Sequence, residues 1–228
     1  MGGTALASGG KDSTYSAYLA DTQGLVVDEL LVLRPSDPDS LLFHTPNLDL
    51  VRLQASAWGK KYRETPVSAP GEEAESRALR DALATAGDPV VAGAIQSSYQ
   101  WGRLSRVCYE LGRRLYAPLW GKDPGRVVRE EIASGMDIRL VHLAAEPLTE
   151  ELLGRRLDPA TLAELERRSR TVRPVNVAGE GGEFETLVLD APFFRQRIEI
   201  DESERTSRGA SHRLTVRRAH LVPKSPPT

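Results

Sequence analysis

The run Ser8-Gly9-Gly10-Lys11-Asp12-Ser13 combines residue types suited to holding phosphate. Adjacent glycines let the chain turn tightly and present consecutive N–H groups. The Lys11 ammonium can neutralise phosphate charge, and the Ser8 and Ser13 hydroxyls can donate to phosphate oxygens. An apolar stretch, Thr4 to Ala7, precedes the run, and a helical stretch from Ser13 to Gln23 follows it and stops at Gly24. That order adds the partial positive charge of a helix N-terminus to the turn. The loop is not a Walker A motif, G-x-x-x-x-G-K-[ST]: Ala5 stands where its first glycine belongs, and Asp12 where Ser or Thr would follow the lysine. The plainer alternative is a glycine turn before a helix, with Lys11 and Asp12 solvated.

A second run, Gly179-Glu180-Gly181-Gly182-Glu183-Phe184-Glu185, leads into an apolar strand from Thr186 to Leu189. If the chain is extended after Gly182, Glu183 and Glu185 share one face and Phe184 takes the other. Such a pair of carboxylates can bind ammonium and accept its proton, can hold Mg2+, or can form an acidic turn at a strand start.

The elements that must position these runs alternate strand and helix. Leu30 to Leu33 reads as a strand, and a polar loop from Arg34 to Pro46 follows it. Asn47 is placed to cap a helix carrying Leu48, Val51, Leu53, Ala55 and Trp58. Helices are expected over Glu72 to Ala86, Tyr99 to Arg113 and Pro124 to Ser134, and strands over Pro89 to Ala94, Leu115 to Ala117 and Ile138 to Ala144. This alternation predicts an α/β fold with a parallel sheet. Beyond Pro147 two helical pieces (Thr149 to Leu153, Pro159 to Arg168) lead to the Gly/Glu run. A two-stranded antiparallel ribbon follows around Ile198-Glu199-Ile200 and Leu214-Thr215-Val216. The change of texture puts a domain boundary between Gly121 and Val127. Because ligands of open α/β sheets sit beyond the carboxyl ends of strands, Gln96, Ser97, Tyr99 and Gln100 are placed to touch a nucleotide or substrate, or else to cap a helix.

Composition narrows the classes. The chain has 228 residues, with 30 Lys+Arg against 32 Asp+Glu, a formal charge of −2, enough for one large or two modest domains. The balance argues against an extensive nucleic-acid-binding surface. The lack of a long apolar run and of a basic leader makes a cytoplasmic setting without a membrane span the expectation. A single cysteine, Cys108, rules out an intramolecular disulfide and a Cys-rich zinc site. It lies in an amphipathic helix, where it reads as a small core residue.

The first run resembles the PP-loop of the N-type ATP pyrophosphatases, which cleave ATP between the α and β phosphates. The resemblance implies ATP bound by Ser8, Gly9, Gly10, Lys11, Asp12 and Ser13, with Mg2+ held through its phosphates and AMP and pyrophosphate as products. The second run, extended through Thr186-Leu187-Val188-Leu189-Asp190-Ala191-Pro192, narrows the family. Together with His44-Thr45-Pro46-Asn47, Gly93-Ala94-Ile95-Gln96-Ser97, Tyr99-Gln100, Pro118-Leu119-Trp120 and Leu153-Gly154-Arg155, it resembles the diphthine-ammonia ligase family from Leu6 to about Phe194.

That resemblance implies a Rossmann-like ATP domain over 1–123 and a smaller C-terminal α/β substrate domain over 124–228 facing it. It implies that the carboxylate of diphthine, a modified histidine of the translation elongation factor, is activated by ATP and amidated with ammonium. Lys11, Glu180, Glu183 and Glu185 are then the catalytic candidates. His44, Asn47, Gln96, Ser97, Tyr99, Gln100, Arg103 and Trp120 are candidate substrate or nucleotide contacts, with Trp120 lining a cleft. Ser105 stands where the family pattern carries an acidic residue two places after the arginine.

Other readings remain open at this point. A tRNA-thiolating PP-loop enzyme commonly uses two cysteines or a metal cluster, and a nucleotide-binding sensor needs no Gly/Glu run. A glutaminase of the N-terminal-cysteine type would need that cysteine near position 1, where residue 2 is Gly, so free ammonium is the expected nitrogen source.

Overall fold

The computed structural model describes residues 2–35, 47–69, 71–170 and 175–224. It comprises two compact units, Met1–Gly121 and Lys122–Thr228. The first contains β1 (Gly3–Leu6), α1 (Lys11–Thr22), β2 (Val27–Arg34), α2 (Leu50–Trp58), β3 (Lys61–Pro66), α3 (Glu72–Ala84), β4 (Val90–Val91), α4 (Ser98–Glu110) and β5 (Leu115–Tyr116). Its five strands pair in parallel in the order β3-β2-β1-β4-β5. This is the parallel α/β sheet expected from the alternating pattern, and the Rossmann-like arrangement that the resemblance implied. The chain builds outward from β1 in one direction and then in the other, so the carboxyl ends of β1 and β4 flank a topological switch point.

The central strands are apolar all round because helices cover both faces. In β2, Leu30, Leu31, Val32 and Leu33 are consecutively buried. Leu31 and Leu33 join a core with Leu79, Leu83, Val90, Leu104, Val107 and Cys108. By alternation, Leu30 and Val32 point to the opposite face. Burial pushes the Cys108 thiol up to about 11, and the group packs as a core residue.

Strand β3 has no apolar signature, and periodicity does not reveal it. It lies at the sheet edge, where one face of Lys61-Tyr62-Arg63-Glu64-Thr65-Pro66 needs no apolar cover. Ion pairs to β2 hold it instead. Arg34 donates to both oxygens of Glu64 at 2.8 and 3.0 Å, and Arg63 donates to both oxygens of Glu29 at 3.0 and 2.8 Å. The helix of α2 begins at Leu50, with Asp49 rather than Asn47 at its N-cap. Asn47 has the left-handed φ of 61° and offers its carbonyl, at 3.0 Å, to the N–H of Leu50. It therefore shapes the turn ahead of the helix and does not cap it.

The second unit contains α5 (Pro124–Ala133), β6 (Asp137–Leu143), a 3-10 turn (Glu150–Leu152), α6 (Pro159–Ser169), β7 (Phe184–Asp190), β8 (Gln196–Arg208) and β9 (Ser211–Pro223). Both helices start as the sequence dictates, with an aspartate cap followed by proline. Asp123 accepts the Arg126 N–H at 2.8 Å, and Asp158 accepts that of Thr161 at 2.7 Å. The sheet runs β7-β6-β9-β8 and is antiparallel throughout. Strand β6 therefore does not extend the parallel sheet, contrary to the alternation rule. Its burial explains why: Ile138, Leu140 and Leu143 are buried while Asp137, Arg139 and His142 are half-exposed, the one-sided pattern of an antiparallel strand.

The C-terminal ribbon is longer than expected and closes at the two-residue turn Gly209-Ala210. Ile200 lies opposite Ala219 and Leu214 opposite Arg205, so the two apolar triplets read from the sequence are not each other's partners.

The Arg34 guanidinium, by its hydrogen bonds, holds the Glu64 carboxyl at about 2 rather than near 4.5. A depressed folded-state value means that this contribution is complete above the ordinary carboxylate range and is lost as pH falls from about 4.5 through about 2. Acidification should therefore loosen the β2–β3 edge. Amide exchange at Glu64 is expected to accelerate below pH 4 ahead of that at core residues such as Val32, and Glu64→Gln should remove the difference.

Candidate active site

At the carboxyl end of β1 the chain passes through Ala7 and Ser8 into Gly9, whose φ is 81°, and enters α1 directly after Gly10. No side chain caps that helix, so its first N–H groups point into the loop. The loop is internally braced. Ser13 Oγ accepts the Ser8 N–H at 3.2 Å and lies 3.2 Å from Ser8 Oγ, while Ser8 Oγ accepts the Gly10 N–H at 3.3 Å. Lys11 is 1% exposed, and its ammonium meets Asp12 Oδ1 at 2.6 Å. A glycine turn that runs into a helix N-terminus with a lysine at its first position has the chemistry to take an anionic oxygen group.

Two neighbours complete this end of the sheet. Gln54 of α2 is 2% exposed and donates its Nε2 to the Gly9 carbonyl at 2.9 Å. Sequence reasoning missed it, although a signal was present: Gln54 interrupts the apolar stripe Val51, Ala55, Trp58. The second neighbour is Gly93, just past β4. A Cβ there would stand 2.7 Å from both the Asp12 carbonyl carbon and the Ser13 nitrogen. Only glycine lets this backbone lie against the start of α1.

The residues after Gly93 divide in role. Ser97 caps α4, accepting the Gln100 N–H at 3.4 Å, so for Ser97 the capping alternative holds. Gln96 is exposed, Gln100 half-buried and Tyr99 40% exposed. The Arg103 guanidinium lies 4.2 Å over the Tyr99 ring. It donates to Ser76 Oγ at 3.0 Å and to the Glu72 carbonyl at 3.2 Å, and it pairs with the Glu72 carboxylate. Arg103 thus ties α4 to α3 and does not present a free fork to a phosphate. Ser105, in the place of the family's acidic residue, bonds the Gly102 carbonyl of its own helix. Trp120 stacks on Trp101 at 4.6 Å and 12°. His44 lies outside the described residues.

In the second unit the Gly/Glu run forms a loop clasped by one of its own carboxylates. Glu183 Oε1 accepts the Asn176 N–H at 3.1 Å and Oε2 the Gly181 N–H at 2.9 Å. The Gly179 N–H bonds the Asn176 carbonyl at 2.9 Å, and the Glu183 carbonyl accepts the Ala144 N–H at 2.7 Å. Glu183 also forms part of the wall of an open cavity of about 530 Å3, with Asp123, Arg129, Asn176 and Val177. Glu185 stands on the next strand position of its face, opposite His142 of β6. Its Oε1 is 3.4 Å from His142 Nδ1, and His142 Nε2 is 3.0 Å from Ser211 Oγ. Glu180 is half-buried in the loop. Among the described residues no three His, Cys, Asp or Glu side chains converge as a metal site, and no helix is long and apolar enough to cross a membrane.

These features meet a consistent set of relatives. A family model of the diphthamide synthase N-terminal domain matches residues 1–115, and one of the diphthamide synthase C-terminal domain matches residues 123–222. The chain belongs to the diphthamide synthase family. It is similar to the diphthine–ammonia ligase of Homo sapiens, 32% identical over 227 residues that cover 88% of this chain and 83% of that protein. It is similar at 32% over 226 residues to that of Danio rerio, covering 87% and 86%. The diphthine–ammonia ligase of Schizosaccharomyces pombe is 31% identical over 222 residues, and there the match takes in 87% of this chain but 36% of the longer relative. A crystal structure of a predicted tRNA methyltransferase subunit from Methanocaldococcus jannaschii aligns over 84% of this chain and 98% of that one, at 14% identity and a TM-score of 0.47.

The clasp of Glu183 makes a structural prediction for this family member. Glu183→Ala would remove the acceptor that the Asn176 and Gly181 N–H groups share and leave them to water, loosening the loop. Amide exchange of Asn176 and Gly181 should accelerate while Val188 in β7 stays protected, and equal protection in variant and parent would show that the clasp does not hold the loop.

Proposed function

We propose that this C–N bond-forming ligase amidates the diphthine carboxylate of the translation elongation factor, using ATP through an acyl-adenylate and releasing AMP and pyrophosphate. The observation that carries the reading is the pairing of a braced phosphate loop at the sheet's switch point with a carboxylate-bearing Gly/Glu loop in one chain of the diphthamide synthase family.

The chemistry requires both parts. A carboxylate repels nucleophiles and has oxide as its leaving group, and transfer of AMP onto it removes both obstacles. The first unit supplies activation. N–H groups of Gly9, Gly10 and the first turn of α1 receive the β and γ phosphate oxygens, with the Ser8 and Ser13 hydroxyls beside them. Lys11 turns from Asp12 toward the phosphates as negative charge arrives, and Asp12 would then be the residue to hold a Mg2+ ion, which would supply charge neutralisation. Gln54 and the close approach of Gly93 hold the loop in shape, because a catalytic contact displaced by an ångström loses much of its worth. Gln96, Tyr99 and Gln100, beyond β4, are the nucleotide or substrate contacts. Trp120 serves by supporting Trp101.

The second unit supplies ammonia. Glu183 keeps the Gly/Glu loop closed, and Glu185 presents the carboxylate that attracts ammonium, with Glu180 adding negative charge. The lone, buried Cys108, with its thiol pushed up to about 11, offers no nucleophile for sulfur transfer or for releasing nitrogen from glutamine. Free ammonium is the nitrogen source in this reading.

The test supplies diphthine-modified elongation factor, ATP, Mg2+ and ammonium, and follows nucleotides and the mass of the elongation factor. AMP, pyrophosphate and the mass change of one amidation are expected; ADP and phosphate would overturn the PP-loop reading, and AMP without amidation would overturn the substrate. Lys11→Ala should abolish AMP formation. Gly93→Ala should weaken ATP binding by at least tenfold, because its new methyl meets backbone rather than a movable side chain; unaltered affinity would show that the loop's shape does not depend on this contact.

A further inference from the structure

The open cavity of about 530 Å3 is lined by residues of the second unit alone. That size lies within the range of about 300–1,000 Å3 that small-ligand sites occupy. Charges of both signs face it. Asp123 and Glu183 bring carboxylates, Arg129 brings a guanidinium, and Val175 and Val177 bring apolar wall. Three of these groups gather where Gly125 has no side chain: a Cβ there would stand 3.2 Å from Arg129 Nη1, 3.4 Å from Asp123 Oδ1 and 3.8 Å from Val177 Cγ2. Alanine is the better helix former, and glycine in the first turn of α5 leaves this hollow open.

The charged groups are fixed by their neighbours. Asp123 Oδ1 accepts the Arg126 N–H at 2.8 Å as the cap of α5, and Glu183 accepts the Asn176 and Gly181 N–H groups. Glu166 Oε1 accepts from Arg129 Nη2 at 2.5 Å, which orients the guanidinium and leaves Nη1 beside Gly125. Among the described residues the ion-pair partner of Arg129 is Glu166 and not Asp123. The hollow therefore keeps a cation and two anions around one space.

Such a space suits a ligand that carries a cation and a carboxylate on one carbon. The diphthine side chain ends in that way, with a trimethylammonium beside the carboxylate to be amidated. A trimethylammonium group has no N–H to donate, so it requires negative charge and apolar contact but no free lone pair, and carboxylates already engaged by N–H groups still supply that charge. We propose that the hollow around Gly125 is the seat of this zwitterionic end, with Arg129 holding the carboxylate, Asp123 and Glu183 facing the trimethylammonium, and Val175 and Val177 against its methyl groups. The inference rests on the amidation reading above and gives its substrate a place. Arg129 Nη1 donates to one carboxylate oxygen and leaves the other free to react. After amidation the negative charge is gone while the trimethylammonium remains, so Arg129 is the residue that tells substrate from product, and Asp123 and Glu183 hold the part that both share.

The experiment measures binding of the full chain, without ATP, to elongation factor in its unmodified, diphthine and diphthamide forms. In Arg129→Gln the ratio of diphthine to diphthamide affinity should fall about tenfold relative to the parent, the worth of one hydrogen bond between charged groups. Asp123→Asn keeps a capping side chain at the helix start, and it should weaken the diphthine and diphthamide forms alike relative to the unmodified factor. An unchanged ratio in Arg129→Gln, or unaltered binding of both modified forms by Asp123→Asn, would overturn the seat. A small probe reads the same site in the parent chain, whatever the variants do. Trimethylglycine carries the same two charged groups, and in NMR titration it should shift the amide signals of Gly125, Asn176 and Val177, whereas acetate or tetramethylammonium alone at equal concentration should shift them less. No shift at these residues, or equal shifts with the separate ions, would equally overturn it. Failure of the parent to amidate diphthine-modified factor with ATP, Mg2+ and ammonium would instead remove the amidation reading, and the trimethylglycine titration would then decide the seat by itself.

Discussion

The backbone of the phosphate loop can hold its shape because a second backbone lies directly against it. At the switch point of a parallel sheet, the segments leaving β1 and β4 emerge side by side, and the absence of a side chain at Gly93 brings them into contact at Asp12 and Ser13. Much of the first unit follows from that approach. Apolar strands buried on both faces fix where β1 and β4 end, and Gln54 braces the loop from the side of α2. The serine hydroxyls lock the turn from within. A loop so supported keeps its N–H groups in fixed positions, and fixed dipoles stabilise charge better than water can.

The second unit solves a different problem, which is to keep carboxylates near one another without letting them disperse. It does so by giving them unlike partners. Glu183 is engaged by backbone N–H groups and becomes part of the loop's frame, whereas Glu185, one face-step along the strand, meets an imidazole. The glycines ahead of Glu183, at positions 179, 181 and 182, let the chain fold back far enough for a side chain to clasp its own loop. Two glutamates of similar appearance in sequence therefore have different work, set by what each faces.

The phosphate loop was legible because its chemistry is local: strand, glycine turn and helix are contiguous, and each leaves a mark within a few residues. Helix starts at Asp123 and Asp158 were legible for the same reason. Features made by contact between distant segments were not. Strand β3 is secured by Arg34–Glu64 and Glu29–Arg63 pairs across some thirty residues, and so no alternating apolar pattern marks it. The contacts of His142 with Glu185 and Ser211 leave no local sign either, since they depend on a one-residue bulge and on a serine in another strand. Arg103 and Ser97 show the converse: side chains suited to ligand contact are occupied with holding helices. Asn47 shows that a residue able to cap a helix can instead use its left-handed backbone to turn the chain.

The long β8–β9 ribbon carries a further consequence. Strand β8 ends the second sheet, and from Asp201 to Arg208 every residue is exposed. Such a rim is a ready template for pairing with any extended chain. Here it displays Asp201, Glu202, Glu204, Arg205 and Arg208 in close succession, so an incoming strand has to bury charges of both signs in order to dock. The same two strands thus combine an outer edge that resists pairing with the inner contact that places Ser211 beside His142.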